Sequence, residues 1–213
     1  MPATVLLIRH PESVWNRQGV YQGQKDPPLS PLGRLQAERV AARLRREPLS
    51  GVVCSPLRRA QTLAQAIGRH HGLTPEVDPR LTEIAHGPWE GLTRHQVQEQ
   101  YPDLYLTWQH RPCEVTFPGG ESLQDVQDRC IAPVEALLSR IEQGAWVVVT
   151  HDIVARLVIA AAQGFAIQGF EQVEVENAAI TTLVGPTLMH SVRRVNDVDH
   201  LGEHRVNLGA QAL

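Results

Sequence analysis

The sequence has no excess of basic residues and almost no lysine. Its 20 basic side chains stand against 23 acidic ones, which gives a formal charge of −3 over 213 residues. Nucleic acids and anionic membranes select a strongly basic face, so we expect neither as a partner. Lys25 is the only lysine. A base-composition bias, thermal adaptation or selection for anion binding would each favour arginine in this way, and composition does not choose between them.

Cysteine and long apolar runs are scarce as well. Cys54, Cys113 and Cys130 are odd in number and form no Cys-x-x-Cys pair, which argues against a disulfide framework and for a reducing compartment. The apolar run ending at Ile8 is short for a signal peptide and follows no basic residue. Since no run reaches the roughly 18 apolar residues of a membrane helix, we expect a soluble, cytoplasmic protein.

Short apolar runs alternate with amphipathic segments along the chain. The runs at 5–8, 51–54 and 146–149 are typical of buried strands. Ser-Pro pairs at 30–31 and 55–56 predict helix starts, with serine as the N-cap and proline at the first helical position. A weaker strand pattern lies at 75–81, and two late strands are predicted at 179–184 and 192–196. The alternation predicts an α/β fold, a three-layer α/β/α sandwich around a mostly parallel, mixed central sheet.

We interpret residues 1–213 as a single domain. Within it, residues 92–121 are expected to form a lid or insertion over the site, and residues 197–213 a polar tail.

Cationic and imidazole side chains follow three of the predicted strands. Arg9 and His10 end the first strand, Arg58 and Arg59 come just past the second, and His151 follows the last. Ligands of open α/β sheets bind beyond the carboxyl ends of the strands, so these side chains are expected to share one pocket. Guanidinium groups hold phosphate oxygens bidentately, and a neutral imidazole can act as a nucleophile. The set therefore indicates phosphoryl transfer.

Arg58 is placed near the third position of the helix that Ser55-Pro56 is expected to start. The amino end of a helix favours acidic residues, so a cation there is unfavourable unless an anion binds nearby. The alternative is that Arg58 and Arg59 are solvated side chains of an arginine-rich chain. Helix position alone leaves both interpretations open.

An ordered set of motifs resembles the histidine phosphatase (phosphoglycerate mutase-like) superfamily. The first motif reads Leu-Ile-Arg-His-Pro-Glu-Ser over residues 7–13 and is followed by Asn16 and Gln22-Gly23. The other motifs lie in order at residues 29–33, 55–62, 81–84, 87–91, 118–122 and 149–151. An Arg-His pair alone is a weak signal, whereas the ordered set is highly specific.

The resemblance implies the chemistry of two residues. His10 matches the nucleophile that becomes phosphohistidine, and Glu83 matches the general acid that protonates the leaving alcohol and then activates water. Glu90, the other carboxylate in this stretch, is interpreted as a residue that braces its loop. Neither a metal nor an organic cofactor is implied, because a metaphosphate-like transition state needs positioning and fixed positive charge. 2,3-Bisphosphoglycerate would enter only in a mutase.

The resemblance also implies a phosphate-binding set. Arg9, Arg58 and His151 match the groups that clamp the phosphoryl oxygens during catalysis, and Asn16 adds a hydrogen bond. The remaining positions expected to bind substrate or phosphate are Gln22, Gly23 and Asp152. A pocket rim is expected at Gln22, His86, Trp108 and residues 111–116.

Two positions depart from the family pattern. Pro11 replaces the usual glycine, and because proline has no N–H and a fixed φ we expect a slightly altered loop around an intact site. Asp152 stands where relatives often have a small or neutral residue. Its carboxylate would repel a phosphate, so we expect its backbone N–H to make the contact.

Three functions stay open. We favour hydrolysis of a small phosphorylated metabolite, because Arg94 and Arg111 are the only fixed positive charges in the predicted lid and a mutase must hold a second anion. A 2,3-bisphosphoglycerate-dependent phosphoglycerate mutase is the alternative. A catalytically weak phosphate-binding or regulatory module is the third, suggested by Pro11. The sequence allows a homodimer without indicating one.

Overall fold

A computed structural model describes residues 3–140, 144–206 and 211 of the chain. Its strands are β1 (Thr4–Arg9), β2 (Leu49–Cys54), β3 (Glu76–Val77), β4 (Ala145–Thr150), β5 (Ile180–Val184) and β6 (Val192–Asp197). They form one sheet in the order β3-β2-β4-β1-β5-β6. The first four strands of this order are parallel, β5 pairs antiparallel with β1, and β6 pairs antiparallel with β5. The predicted mixed, mostly parallel sheet is confirmed.

Helices cover both faces of the sheet, which confirms the predicted three-layer sandwich. Alternate side chains of β1 point to opposite faces: Leu6 and Ile8 belong to one apolar cluster, and Val5 and Leu7 to the other.

Among the described residues no helix is both long and apolar enough to cross a membrane. The helices are α1 (Val14–Gln18), α2 (Pro31–Leu44), α3 (Arg58–His71), α4 (Arg94–Gln100), α5 (Pro102–His110), α6 (Leu123–Leu138) and α7 (Asp152–Ala162).

Each apolar cluster joins the sheet to one pair of helices. Leu6 and Ile8 pack with buried residues of α2 and α3, such as Val40 and Leu63. Val5 and Leu7 lie in the other cluster, which contains the apolar faces of α6 and α7. Burying both faces of the central strands explains why β1 and β4 read as continuous apolar runs.

The predicted lid contains α4 and α5. Its aromatic side chains pack on the buried Trp89, with ring-centroid distances of 6.5 Å to Trp108 and 5.0 Å to Phe117. Trp108 also lies 6.1 Å from the ring of His86. An aromatic cluster therefore packs the predicted lid against the rest of the domain.

The predicted polar tail, residues 197–213, contains buried side chains among its described residues. β6 extends to Asp197, and a 3₁₀ segment at Asp199–His204 buries Leu201 among core residues next to α2. Gln211 is also buried. For these residues the tail prediction is wrong, because polarity along a segment does not reveal which side chain is used as an anchor. Residues 207–210 and 212–213 of the predicted tail lie outside the described residues.

The parallel strands bring the chemistry together. Arg9 in β1 pairs with Thr150 in β4, and the backbone N–H of His10 donates to the carbonyl of Thr150 at 2.8 Å. The N–H of Ser55, just past β2, donates to the carbonyl of Val149 in β4 at 3.0 Å. The residues that follow β1, β2 and β4 therefore meet at one end of the sheet.

Candidate active site

A cleft opens at the carboxyl ends of β1, β2 and β4. It holds about 390 Å³ of space between atoms, a volume that includes open solvent at its mouth. The residues lining it are Arg9, His10, Asn16, Gln22, Gly23, Arg59, Glu83, His86, Asp152 and Ile153. Seven of the nine predicted site residues are in this set, and Arg58 and His151 are not.

His10 is buried and held by the residue that departs from the family pattern. Its Nδ1 lies 2.7 Å from the carbonyl oxygen of Pro11. Because a carbonyl can only accept, Nδ1 carries the proton and Nε2 keeps its lone pair in the neutral ring. Burial, followed by the charges of Arg59 and Arg9, lowers the pKa of His10 well below its ordinary value. Proline removes an N–H but keeps the carbonyl, so Pro11 still orients the imidazole.

His151 stands beside His10, with 5.1 Å between the ring centroids. It is fully buried and is the N-cap residue of α7. Its Nε2 lies 2.7 Å from the Ser55 hydroxyl oxygen, while its Nδ1 has no hydrogen-bond partner within the described part of the chain. Burial, then the charge of Arg59, lowers the pKa of His151 well below its ordinary value. Both imidazoles are therefore neutral near neutral pH.

Arg9 is one of the largest buried side chains of the protein. Its Nη1 donates to the carbonyl of Val175 at 2.7 Å and forms an ion pair with Asp152 at 3.0 Å. Its Nη2 donates to Gln211 at 2.7 Å. Its Nε, although buried, has no partner among the residues that the structure describes. A guanidinium fixed in this way can offer Nε–H to a phosphoryl oxygen.

Arg59, not Arg58, lines the cleft, so the placement predicted for Arg58 is wrong. The Arg58 side chain is 66% exposed and pairs with Asp26. Arg59 is 1% exposed, and its η nitrogens donate to the carbonyls of Lys25 and Gly23 at 2.7 and 2.8 Å. Its Nε has no partner in the described residues. Burial lowers the pKa of Arg59 to about 10, which leaves it charged at neutral pH.

The helix position predicted for Arg58 is also wrong. Ser55-Pro56 was expected to cap the helix, but α3 begins at Arg58 and its N-cap residue is Leu57. Successive residues of a helix are rotated by about 100° because 3.6 residues make one turn. A two-residue shift of the start therefore changes which arginine faces the cleft.

Glu83 is buried against the first turn of α7. Its Oε2 accepts from the N–H groups of Asp152 and Ile153 at 3.0 and 3.4 Å, and its Oε1 accepts from Ile84 at 3.0 Å. Burial, followed by the nearby Asp152 charge, raises the pKa of Glu83 above its ordinary value. A carboxyl group that keeps its proton to higher pH is suited to general acid catalysis.

The Asp152 contact expected from the sequence is wrong in one respect. Its backbone N–H donates to Glu83 and is not free for a phosphate. The carboxylate lies 3.0 Å from Arg9 and 3.5 Å from Arg156. Because two guanidinium groups neutralise it, Asp152 can line the cleft without making the cleft negative.

Arg129 in α6 holds the loop that carries Glu83. Its Nη atoms donate to the carbonyls of Arg80, Thr82 and Glu83 at 2.8, 2.6 and 3.1 Å. It also forms a two-point pair with Glu121 at 2.7 and 2.9 Å. Four partners on one planar guanidinium fix the backbone from which Glu83 projects.

The predicted Asn16, Gln22 and Gly23 all line the cleft. Asn16 closes a capping box with Ser13 at the start of α1, and the Ser13 hydroxyl donates to Gln22 at 2.6 Å. Gly23 has φ +48°, and a Cβ there would lie 2.0 Å from the Glu90 carboxylate. The positive φ favours glycine at this position, and Glu90 braces the loop by accepting from the N–H of Gln24 at 2.9 Å.

His86 supplies the rim of the cleft. Its ring lies 4.9 Å from that of Phe117 and 5.4 Å from that of Tyr21. Burial lowers the pKa of His86 to about 3, so it is a neutral wall. The predicted rim residue Trp108 lines a neighbouring cavity with Arg156 and Phe170.

Gln211 is a site neighbour that sequence reasoning missed. Its side-chain oxygen accepts from Arg9 at 2.7 Å and from Asn16 at 3.2 Å, and its amide nitrogen donates to Asn177 at 2.7 Å. Its backbone carbonyl accepts from Arg94 at 2.6 Å. Gln211 is 202 residues from Arg9 in sequence, and no local pattern around it signals this contact.

The site combines two neutral imidazoles, two buried guanidinium groups and a carboxyl group with a raised pKa, and these are the groups that phosphoryl transfer through a histidine requires. Residues 5–198 match the histidine phosphatase superfamily (branch 1), and the chain belongs to this family. The resemblance drawn from the motifs and the predicted class of enzyme, a histidine phosphatase, are confirmed.

Two curated proteins and one solved structure illustrate the relationship. The chain is 34% identical over 206 residues to phosphoserine phosphatase 1 of Hydrogenobacter thermophilus, covering 95% of this chain and 96% of that protein. It is 36% identical over 157 residues to phosphoglycerate mutase-like protein 4 of Arabidopsis thaliana, covering 72% and 68%. The mycobacterial glucosyl-3-phosphoglycerate phosphatase in complex with VO3 superposes with a TM-score of 0.80 at 31% identity, covering 91% and 97%.

Proposed function

We propose that the protein hydrolyses small phosphomonoesters through a phosphohistidine at His10. One observation carries the proposal: Arg9 Nε, Arg59 Nε and His151 Nδ1 are buried without partners among the described residues, next to a histidine whose Nε2 is free. Buried polar groups are rarely left unpaired. Three such atoms around one nucleophile are the arrangement expected of a site that binds a phosphoryl group.

The reaction proceeds in two displacements. His10 Nε2 attacks phosphorus, the bond to the ester oxygen breaks, and the carboxyl proton of Glu83 passes to that oxygen, giving the alcohol and phosphohistidine. Water then attacks the phosphohistidine while the Glu83 carboxylate takes its proton, which releases inorganic phosphate and restores His10. Arg9, Arg59 and His151 stabilise the charge on the equatorial oxygens.

We propose that no metal is required, because Arg9 and Arg59 already supply fixed positive charge. In the described part of the chain no group of three or more His, Cys, Asp or Glu residues is arranged to hold a metal ion. The expected cytoplasmic location stays a prediction, and a homodimer stays open.

Hydrolysis is favoured over mutase activity by the predicted lid. Arg94 donates to the Gln211 carbonyl, and Arg111 pairs with Glu114 at 2.8 Å with its side chain 63% exposed. Neither arginine lines the cleft. The lid therefore offers no fixed cation to hold the second anion of a bisphosphate.

A substrate screen tests the function. We expect release of inorganic phosphate from an aryl phosphate and from some members of a panel of phosphorylated metabolites, which would include the substrates named for relatives, phosphoserine and glucosyl-3-phosphoglycerate. Radiolabelled substrate should give an acid-labile, base-stable phosphoprotein in a quenched reaction. A phosphoenzyme inert to water that passes its phosphate to 3-phosphoglycerate would establish a mutase instead. A folded protein with neither turnover nor phosphoenzyme would be a binding module.

The role of Glu83 is tested by Glu83→Gln. We expect kcat/KM for an alkyl phosphate to fall roughly 10²–10⁴-fold, the usual contribution of general acid catalysis. An aryl phosphate with an acidic phenol should lose much less in the phosphorylation step, because its leaving group needs no proton. Glu90→Gln, at the other carboxylate of this region, is the matched control. Equal losses on both substrates would contradict the assignment.

The pH dependence of kcat/KM follows from the two shifted groups. The lowered pKa of His10 keeps its lone pair available to lower pH, so activity is lost only when acid protonates it. The raised pKa of Glu83 extends its acid form to higher pH, so activity for alkyl phosphates falls as pH rises through that pKa. Glu83→Gln should remove the alkaline limb and retain the acid limb.

A further inference from the structure

Ser55 contacts His151 but does not itself line the cleft. It follows β2 directly, is fully buried, and places its Oγ 2.7 Å from His151 Nε2. The other contact of this hydroxyl in the described part of the chain is a weak bond from the N–H of Leu57 at 3.3 Å. These two contacts determine where the hydrogens lie.

The hydroxyl must donate to the imidazole. A backbone N–H can only donate, so Leu57 gives its hydrogen to Oγ. The hydrogen of the Ser55 hydroxyl then needs an acceptor, and among the described residues Nε2 of His151 is the atom within reach. The opposite arrangement, with Nε2–H donating to Oγ, would leave a fully buried hydroxyl hydrogen without an acceptor, which native structures avoid.

We propose that Ser55 is a positioning residue that holds neutral His151 in the Nδ1–H tautomer, so that Nδ1–H donates to the transferring phosphoryl group. The proposal rests on the proposed phosphatase function. A neutral imidazole has one N–H, and the partner of one ring nitrogen decides which nitrogen carries it. With Nε2 accepting from Ser55, the buried and otherwise unpartnered Nδ1 is the donor.

The two active-site histidines then differ in the ring edge that they present. His10 donates Nδ1–H to Pro11 and presents the lone pair of Nε2 to phosphorus. His151 accepts at Nε2 and presents Nδ1–H to a phosphoryl oxygen. Burial, followed by the positive charge of Arg59, opposes protonation of His151. Without Ser55 a neutral His151 would be free to adopt the other tautomer, which turns a lone pair on Nδ1 towards an anion.

Nitrogen NMR tests the tautomer directly. Protein labelled with 15N in its histidine rings is examined by long-range 1H–15N correlation at neutral pH without substrate, and His151 is assigned by the loss of its signals in His151→Gln. We expect a pyrrole-like Nδ1 and a pyridine-like Nε2 in the wild type, and a shift of population towards Nε2–H in Ser55→Ala. A pyrrole-like Nε2 in the wild type, or an unchanged tautomer in Ser55→Ala, would overturn the proposal. If Ser55→Ala does not fold, the wild-type spectrum decides.

Kinetics provide the second measurement. Ser55→Ala should lower kcat by about 10–100-fold, somewhat less than the loss of a complete oxyanion donor, while Ser55→Thr, which keeps the hydroxyl, should retain most of the activity and the wild-type tautomer. Equal losses in both variants with the tautomer unchanged would show a packing role only. Because the spectra need no substrate, an inactive wild type would refute the proposed function and still leave the tautomer measurable.

Discussion

Replacing His10 by alanine is expected to lower phosphatase activity by at least about 10⁴-fold, because the nucleophile of a covalent mechanism has no substitute in the cleft. The acid-labile phosphoprotein should disappear at the same time. Vanadate should still bind, although more weakly, because Arg9, Arg59 and His151 keep the donors that hold its oxygens. Phosphate release, phosphoprotein trapping and vanadate affinity together separate loss of the nucleophile from loss of the pocket.

His70→Ala is the control for the His10 variant. His70 lies exposed in the last turn of α3, away from the cleft, so its replacement should change neither turnover nor phosphoprotein formation. The fold of His10→Ala is checked by circular dichroism and thermal unfolding, since the Pro11 carbonyl loses the donor bound to it. Turnover of folded His10→Ala within tenfold of the wild type would show that another group attacks phosphorus.

The fold followed from signals that are local in sequence. β1 and β4 are short runs of apolar residues bounded by polar ones. Such a run is typical of a strand that is buried on both faces of a parallel sheet. Ser30 caps α2 through its hydroxyl, which accepts from the N–H of Gly33 at 2.9 Å. The weak strand pattern at 75–81 gives only a two-residue strand, because Asp78 caps a 3₁₀ turn at Pro79–Leu81 and ends it.

The site was predictable wherever a strand end fixed the residue. Arg9, His10 and His151 follow directly from strands whose ends the apolar pattern marks to within a residue. The contacts of Asp152 with Arg9 and Glu83 were not predictable, because they depend on how residues distant in sequence lie in three dimensions. Gln211 reaches the site from the other end of the chain, and a single sequence contains no signal for such a contact.

Arg58 shows the limit of a local rule. A Ser-Pro pair caps α2 as expected, whereas the same pair after β2 lies before α3, whose N-cap residue is Leu57. The Ser55 hydroxyl contacts His151 at 2.7 Å and accepts from the N–H of Leu57 at 3.3 Å, so neither contact is with a helical N–H of α3. An arginine near this helix end does line the cleft, but it is Arg59 and not the predicted Arg58.

Arg59→Lys is expected to lower kcat/KM by roughly 10²–10³-fold, the cost of losing one oriented donor in a dry site. The Arg59 η nitrogens are committed to the carbonyls of Gly23 and Lys25, and its Nε remains for the phosphoryl group. A lysine has one ammonium group and cannot bind both carbonyls and the phosphoryl group in that geometry. Vanadate affinity should fall in parallel with kcat/KM.

Arg58→Lys is the matched control, one residue earlier in the same helix turn. Its side chain is largely solvent-exposed, so the pair with Asp26 contributes at most about 1 kcal/mol to stability, and activity should stay near the wild-type value. Thermal unfolding of both variants shows whether Arg59→Lys loosens the Gly23 loop as well as the phosphate site. A larger loss of kcat/KM in Arg58→Lys than in Arg59→Lys would restore Arg58 as the phosphate clamp. The opposite result would show that burial, and not position in the motif, selects the catalytic arginine.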